Sequence, residues 1–449
     1  MNRGVRSVMT VALLAMLVIP GRADLLPENI VQNGQFREVA DRLPLGWETF
    51  DARENTRPSI AVERGRLKLS CDRLPCYGGL AQDIAGIEGG RTYEVSYRVR
   101  TEGISHPREF VQCIVRWLDG DGKLIEAQLV GAQGRAQDWT RVSRALIAPD
   151  GAVSARIELV LKWTTGTAWF DNVAMRLTDP VEPRRVNLAT ICLITRDTTP
   201  DENRRLWAEK CAEAGEMGAD IVCCGEAITQ PGTGLSKSEL KEPADGPTAR
   251  VLGEIADRYD MYILAGIYEW TGEEIYNTAI LLDRDGNLGG RYRKVHLTVT
   301  AGPGGSSPGT EYPVFETDFG TIGMQICYDN FFPECARALA VNGAEVIFLP
   351  IWGDGRTDDS YEISCRSRAL DNSTFLVSSN YSQKRSLIVG PTGEILADTG
   401  GEESVTMAEV DLNERHLCPA LSVGANGEWE TLWPNERHPS SYDDLTQPR

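Results

Sequence analysis

A cysteine, a carboxylate and a lysine in three separate stretches of this chain have the types that covalent acyl transfer requires. Cys327 closes the run Gly323-Met324-Gln325-Ile326 and precedes Tyr328-Asp329-Asn330-Phe331-Phe332-Pro333-Glu334. This pattern predicts a strand delivering the cysteine, then a polar turn, then a helix over 333–342 opened by Pro333. Such a mount holds a thiol on a rigid element beside backbone N–H groups, as a nucleophile needs if one carbonyl is to meet sulfur and oxyanion donors together. Glu226 ends the apolar run Asp220-Ile221-Val222-Cys223-Cys224-Gly225, and Lys294 lies within Gly290-Arg291-Tyr292-Arg293-Lys294-Val295-His296-Leu297.

Each residue type has a role. A free thiol has a pKa of about 8.5, so a nearby general base is useful at neutral pH. Glu226 can be that base, and packing at an apolar strand end is expected to raise its pKa toward working pH. Lys294 supplies positive charge to an oxyanion, with the backbone N–H of Tyr328 as second donor. Each role also has a plainer rival. Cys327 could be a small buried hydrophobe, Glu226 a surface carboxylate, and Lys294 one member of a solvated basic face with Arg291 and Arg293.

Taken together, the three motifs resemble the nitrilase, or carbon–nitrogen hydrolase, superfamily over roughly residues 186–443. Further echoes are Arg366-Ser367-Arg368-Ala369-Leu370-Asp371-Asn372, Val377-Ser378-Ser379-Asn380 and Gly390-Pro391-Thr392-Gly393. The resemblance implies an α/β four-layer α-β-β-α sandwich, a homodimer or larger assembly, and a Glu226–Lys294–Cys327 triad that works without a cofactor. Cys-Tyr-Asp resembles the amidase and carbamoylase branches, so the implied substrate is a small amide or carbamoyl amide. Tyr328, Phe331 and Trp352 are the candidate pocket walls. Two departures stand out. Family members commonly carry another glutamate between the lysine and the following Pro-Gly, yet residues 295–308 contain no acid. Carbamoyl-amino-acid hydrolases tend to place an arginine just after the cysteine, where Asn330-Phe331-Phe332 stands here; Arg356 is the candidate substitute.

The elements that position these residues begin after an N-terminal region of different character. Arg3 and Arg6 precede the apolar run 8–19, and Gly21-Arg22-Ala23 offers small residues for cleavage, so residues 1–23 read as a signal peptide of an exported protein. Twelve apolar residues are too few to span a bilayer comfortably. Residues 24–179 read as an all-β sandwich of short alternating strands, such as Tyr93-Glu94-Val95-Ser96-Tyr97-Arg98-Val99. Asn33-Gly34-Gln35-Phe36, Leu45-Gly46-Trp47, Trp139-Thr140-Arg141-Val142 and Trp169-Phe170-Asp171-Asn172-Val173 resemble a carbohydrate-binding-module jelly roll of the galactose-binding-like kind. That resemblance makes carbohydrate a candidate ligand, with Trp117, Trp163 and Trp169 as candidate platforms. It also makes structural Ca2+ a candidate, with Asp171 as ligand, although Arg37 stands where an acid frequently follows the opening Phe. Residues 180–185, with Pro180 and Pro183, read as a linker. From 186 to 449, strands alternate with helices at about 200–217, 246–260, 333–342 and 359–371.

Composition narrows the partners. The 449 residues carry a formal charge of −19, which becomes −22 once Arg3, Arg6 and Arg22 leave with residues 1–23. An acidic exterior of that size disfavours nucleic acid and anionic membranes. Eleven cysteines in an exported chain invite disulfides, and Cys71 with Cys76 is the candidate pair. Cys223 and Cys224 are adjacent on a strand, so they should point to opposite faces.

Rival chemistries are weaker. Gly305-Ser306-Ser307-Pro308-Gly309 matches a serine-hydrolase pattern, but Pro308 has no N–H to donate to an oxyanion. The four histidines, His106, His296, His416 and His438, have no metal-ligand spacing, and His296 is better placed to orient the Lys294 loop. Two further readings stay open: a catalytically degenerate exported binding module, suggested by the missing glutamate, and a polysaccharide-associated glycosidase.

Overall fold

The computed structural model describes residues 28–51, 53–131, 138–299, 305–353, 358–381, 385–419, 426–445 and 447. Residues 1–23 and Arg356 lie outside them, so the signal-peptide reading and the Arg356 substitute have no structural counterpart here.

Alternation dictates the first half. In the strand Thr92–Glu102, Tyr93, Val95, Tyr97 and Val99 turn to one face, as period-2 geometry requires. Two five-stranded antiparallel sheets result. One runs Thr140–Ile147, Thr92–Glu102, Gly166–Thr178, Leu67–Cys71, Ser59–Val62, and the other Glu48–Asp51, Tyr77–Ala85, Ser154–Lys162, Val111–Leu118, Leu124–Gly131. Leu67, Leu69 and Phe170 of the first meet Val115, Trp117 and Leu159 of the second in a shared core. Trp117 is fully buried there and cannot serve as a sugar platform, whereas Trp163 is 44% exposed. Cys71 and Cys76 form a disulfide. Asp171 accepts the amide of Asn172.

Residues 179–184 have no regular structure, and beyond them the pattern changes. One six-stranded sheet runs Leu288–Arg293, Ile275–Leu282, Tyr262–Trp270, Ile221–Cys223, Arg185–Ile191, Val405–Asp411. A second runs Val314–Glu316, Thr321–Met324, Val346–Ile351, Phe375–Asn380, Leu387–Val389, Ile395–Asp398. In each, three neighbouring strands are parallel and are joined through helices. Strands buried on both faces read as continuous apolar runs, as in Val346–Ile351. Leu188, Cys223 and Leu264 of one sheet share a core with Met324, Phe348 and Val377 of the other. Helices Pro200–Glu216 and Pro247–Tyr259 pack on the first sheet through Trp207, Cys211, Leu252 and Ala256. Cys223 and Cys224 enter these two different cores, as strand alternation predicts. Helix Pro200–Glu216 starts where Thr199 and Glu202 bond reciprocally to each other's backbone amides.

The C-terminal arm returns to the first half, an arrangement with no sequence signal. After Val405–Asp411, the paired strands Leu417–Pro419 and Asn426–Glu428 and the helix Trp429–Glu436 approach the edges formed by Leu124–Gly131 and Thr140–Ile147. Arg415 contacts both Glu126 and Glu428, and Arg144 binds Glu428 at 2.6 Å. His438 Nδ1 meets Glu109 at 2.7 Å. A 470 Å³ cavity in this seam, lined by residues such as Arg108, Glu345, Phe375 and Glu430, contains none of Glu226, Lys294 and Cys327. Among the described residues, no helix is long and apolar enough to cross a membrane.

Candidate active site

The strand Thr321–Met324 stops short of the cysteine, a correction to the expected strand end. Ile326 is still extended, but Cys327 flips to φ +44° and opens a 3₁₀ turn, Cys327–Phe331. That backbone region is unfavourable for a side chain bearing Cβ, and it persists only where surroundings impose it. The fully buried Asp329 supplies much of the imposition. Its Oδ2 accepts the Ile326 amide at 3.0 Å and the Tyr292 hydroxyl at 2.7 Å. Its Oδ1 accepts the His296 amide at 2.9 Å, with His296 Nδ1 3.1 Å away. Phe332 stacks on the His296 ring at 3.9 Å, and helix Pro333–Val341 follows with Pro333 in its first turn. His296 therefore ties the lysine loop to the cysteine turn.

Strand alternation sorts the three basic residues 291, 293 and 294. Arg291 and Arg293 both clamp the buried Glu269, at 2.8–3.0 Å. Lys294 follows on the opposite face and reaches Glu226 Oε1 at 2.8 Å. Lys294 is thus separate from the basic face of its neighbours. Its backbone is fixed as well, donating to Asn277 O and accepting from the Gly309 amide, each at 2.8 Å.

Glu226 sits beyond the short strand Ile221–Cys223, in a turn rather than at a strand end. Two glycines let neighbours close on that turn. A Cβ on Gly225 would lie 2.7 Å from the Tyr381 ring, and one on Gly266 would lie 2.7 Å from Glu226 Cα. Tyr381 donates to the Glu226 carbonyl at 2.9 Å. The carboxylate is 5% exposed and held by Lys294, by Asn277 Nδ2 at 2.7 Å and by the Trp352 amide at 2.9 Å.

These contacts reverse the expected pKa shift of Glu226. Burial alone would push it up, but the Lys294 charge, the Lys294 hydrogen bond and the donors Trp352 and Asn277 outweigh burial and hold it below the ordinary carboxylate value. Lys294, 5% exposed, is raised: burial opposes this, and the charges of Glu226 and then Cys327 prevail. Cys327 is 7% exposed; its Sγ donates toward the Gly353 carbonyl at 3.9 Å, and Lys294, Tyr268 and Tyr381 lie within its electrostatic reach. The carboxylate, ammonium and thiol from three distant segments therefore share one electrostatic neighbourhood.

The other expected residues are placed as follows. Tyr328 follows the sulfur in the 3₁₀ turn, and its ring packs on Phe331 at 4.9 Å and Phe332 at 5.3 Å. Phe331 is 37% exposed. Trp352 meets the Tyr381 ring at 5.7 Å, and its described polar contribution is the backbone amide on Glu226. Sequence reasoning missed Asn277 and Tyr381. A lone asparagine inside the apolar strand Ile275–Leu282 was the available signal, since a buried polar side chain needs a partner. His296, Asp329 and Cys335 bring their ligand atoms within 4.8 Å of one another. Both Asp329 oxygens are already taken by hydrogen bonds, so this group reads as a fastening rather than a metal centre.

Known proteins resemble the second half of this chain. The carbon-nitrogen hydrolase family model matches residues 186–419, just over half the chain. A probable nitrilase of Schizosaccharomyces pombe is 35% identical over 231 residues, covering 49% of this chain and 79% of that protein. The omega-amidase NIT2 of Homo sapiens is 30% identical over 221 residues, covering 45% and 80%. An amidase from Nesterenkonia sp. aligns in structure over 53% of this chain and 95% of its own, with 23% identity and a TM-score of 0.46. The chain belongs to the carbon–nitrogen hydrolase family, whose members act on bonds other than peptide bonds.

Proposed function

We propose that this chain is an exported amidase that cleaves a small amide or carbamoyl amide through an acyl-enzyme on Cys327. The observation that carries the reading is the buried Glu226–Lys294 pair beside a cysteine in a strained turn. A relative named as an omega-amidase supports the amide class. The layered sheets and helices are read as the family's four-layer α-β-β-α sandwich, and the first half as a jelly roll.

The steps follow from the contacts. The Cys327 thiol gives its proton to Glu226 as sulfur attacks the amide carbon, and the carbonyl π pair moves onto oxygen. Lys294 and the Tyr328 N–H hold that oxyanion. As the carbon–nitrogen bond breaks, Glu226 returns the proton to the leaving nitrogen. Glu226 then deprotonates water, which attacks the thioester; the carbon–sulfur bond breaks and the thiol is restored. A depressed Glu226 pKa means the base rests ionised, ready to accept the first proton at neutral pH.

The test is ammonia release from small amides and carbamoyl compounds by the wild type and by Cys327→Ala. Wild-type turnover that vanishes in a folded variant is expected. Turnover retained in Cys327→Ala removes the cysteine from its role. The missing acid in 295–308 favours a second reading, a degenerate binding module. It predicts no ammonia and no labelling of Cys327 by an acylating probe near neutral pH. Export is tested separately by N-terminal sequencing, which should find processing after Ala23.

A further inference from the structure

Two cysteines outside the proposed chemistry meet in the core between helix Pro200–Glu216 and the first six-stranded sheet. Cys211 lies on the helix face that also buries Trp207, four residues back, and Ala214, three ahead. Cys224 follows the strand Ile221–Cys223, and its amide donates to Leu264 O at 2.7 Å, which keeps it in line with that strand. Both cysteines are fully buried, and their sulfurs stand 3.4 Å apart. Cys224 is two residues before Glu226. The same helix also closes on the residue between them, because a Cβ on Gly225 would lie 3.1 Å from the Trp207 ring.

Two thiols in contact can share a hydrogen bond or be oxidised to a covalent bond. The Cys71–Cys76 bond needs an oxidant to form, and that oxidant is then at hand for a second pair. From 3.4 Å the sulfurs must approach by about 1.4 Å to reach the bonded distance of about 2.05 Å. Closure draws the side chains together and sheds two hydrogens, so it asks for no extra room in a close-packed core. We propose that Cys211 and Cys224 are joined by a second disulfide, which staples helix Pro200–Glu216 to the turn carrying Glu226. One cysteine, as thiolate, attacks a sulfur of a disulfide oxidant, a small molecule or a protein, and expels one thiol. The other cysteine then displaces the second. Two protons and two electrons leave the cysteines, one S–S bond forms, and the oxidant's S–S bond becomes two thiols. The exchange belongs to folding, before the helix packs. Afterwards burial, then the Cys211 thiol beside it, push the Cys224 thiol well above its ordinary range, and the attacking thiolate is no longer available.

None of the amidase chemistry is needed for this bond, and its test reads no turnover. The full-length protein is reduced, unfolded and refolded in mixed oxidised and reduced glutathione, then unfolded in an alkylating reagent and cut after glutamates. Cuts at Glu213, Glu216 and Glu226 separate Cys211 from Cys223 and Cys224. The expected product is a crosslinked peptide pair whose fragment masses place the bond on Cys224 and the alkyl label on Cys223. Refolded protein in which Cys211 and Cys224 both carry the label overturns the proposal and leaves a thiol–thiol hydrogen bond as the whole of the contact. A bond to Cys223 overturns it too. Thermal melting gives a second measurement, on wild type and on the double variant Cys211→Ala/Cys224→Ala. Refolding with a reductant should lower the wild-type midpoint by about 5–10 °C more than it lowers that of the variant, the scale of one disulfide closing a short loop. The Cys71–Cys76 bond is common to both proteins and cancels. Equal shifts would sink the staple.

Discussion

Two buried ionic clusters in this molecule use the same residue types for different ends. In the cavity, Glu226 and Lys294 form one pair, joined by Asn277 and the Trp352 amide and placed beside Cys327. In the seam, Glu126 and Glu428 lie between Arg144 and Arg415, two acids against two cations. The seam cluster sets two acids against two cations among the described residues and fastens the C-terminal arm to the edges of the first two sheets. The cavity pair adjoins a residue in a sparsely populated backbone region. Burial of charge is therefore no sign of catalysis by itself; a thiol and backbone strain beside the charges make the difference.

The strongest way to break this contrast is Glu226→Gln. The change keeps shape and removes the proposed base, so kcat/KM should fall about 10²–10⁴-fold. It also leaves Lys294 buried without its counter-charge, which should cost about 3–5 kcal/mol of stability. Ammonia release and urea denaturation measure both. Activity within a few-fold of wild type would remove Glu226 from the chemistry.

Asp329→Asn comes next. Asparagine keeps one acceptor oxygen, so its amide nitrogen cannot accept either the bonds from Ile326 and Tyr292 now taken by Oδ2 or the bond from His296 now taken by Oδ1. The cysteine turn should loosen, with kcat/KM down about 10–100-fold, as small misplacements of reacting groups produce. A normal rate of Cys327 alkylation together with normal turnover would show that the turn holds its shape without the carboxylate.

Glu428→Gln sharpens the other side of the comparison. The loss of its charge from between Arg144 and Arg415 should cost about 3–5 kcal/mol, read from the denaturation midpoint, with kcat/KM of the folded enzyme within two-fold of wild type. A large drop in kcat/KM at temperatures where the variant is folded would couple the seam to the cavity and erase the distinction.

How much of this could be read from the chain depends on range. The Glu226, Lys294 and Cys327 segments were legible because each motif is local, and helical periods located the helices: Pro200–Glu216 and Pro333–Val341 fall close to their expected spans. The direction of the Glu226 shift was misjudged because burial is a local property, while the Lys294 ammonium arrives from 68 residues away. The cysteine was placed on a strand because apolar character runs through Ile326. What ends that strand is Asp329 reaching back to the Ile326 amide, a contact that no propensity encodes. The arm was illegible for a similar reason: Arg415 and Glu428 look like surface charges until their partners Glu126 and Arg144, far earlier in the chain, bury them.

The smallest effects distinguish the regions by the sign of their pH dependence. The hydrogen bond from His416 to Glu430, then the charges of Glu430 and neighbouring acids, outweigh burial and raise the His416 pKa above its ordinary value. A raised histidine adds stability that is fully present below its unfolded pKa of about 6.5 and is lost as pH climbs through the folded value. Glu226 is depressed, so its contribution is present above the unfolded carboxylate value of about 4.3 and disappears as pH falls through the folded one. The stability difference between wild type and His416→Asn should therefore be larger at pH 5.5 than at pH 8.5, whereas that between wild type and Glu226→Gln should shrink only in acid. Denaturation midpoints from about pH 3 to about pH 8.5 measure both. If the His416→Asn difference instead grows as pH rises, the arm is not held by a protonated histidine, and its fastening must be assigned to the arginines alone.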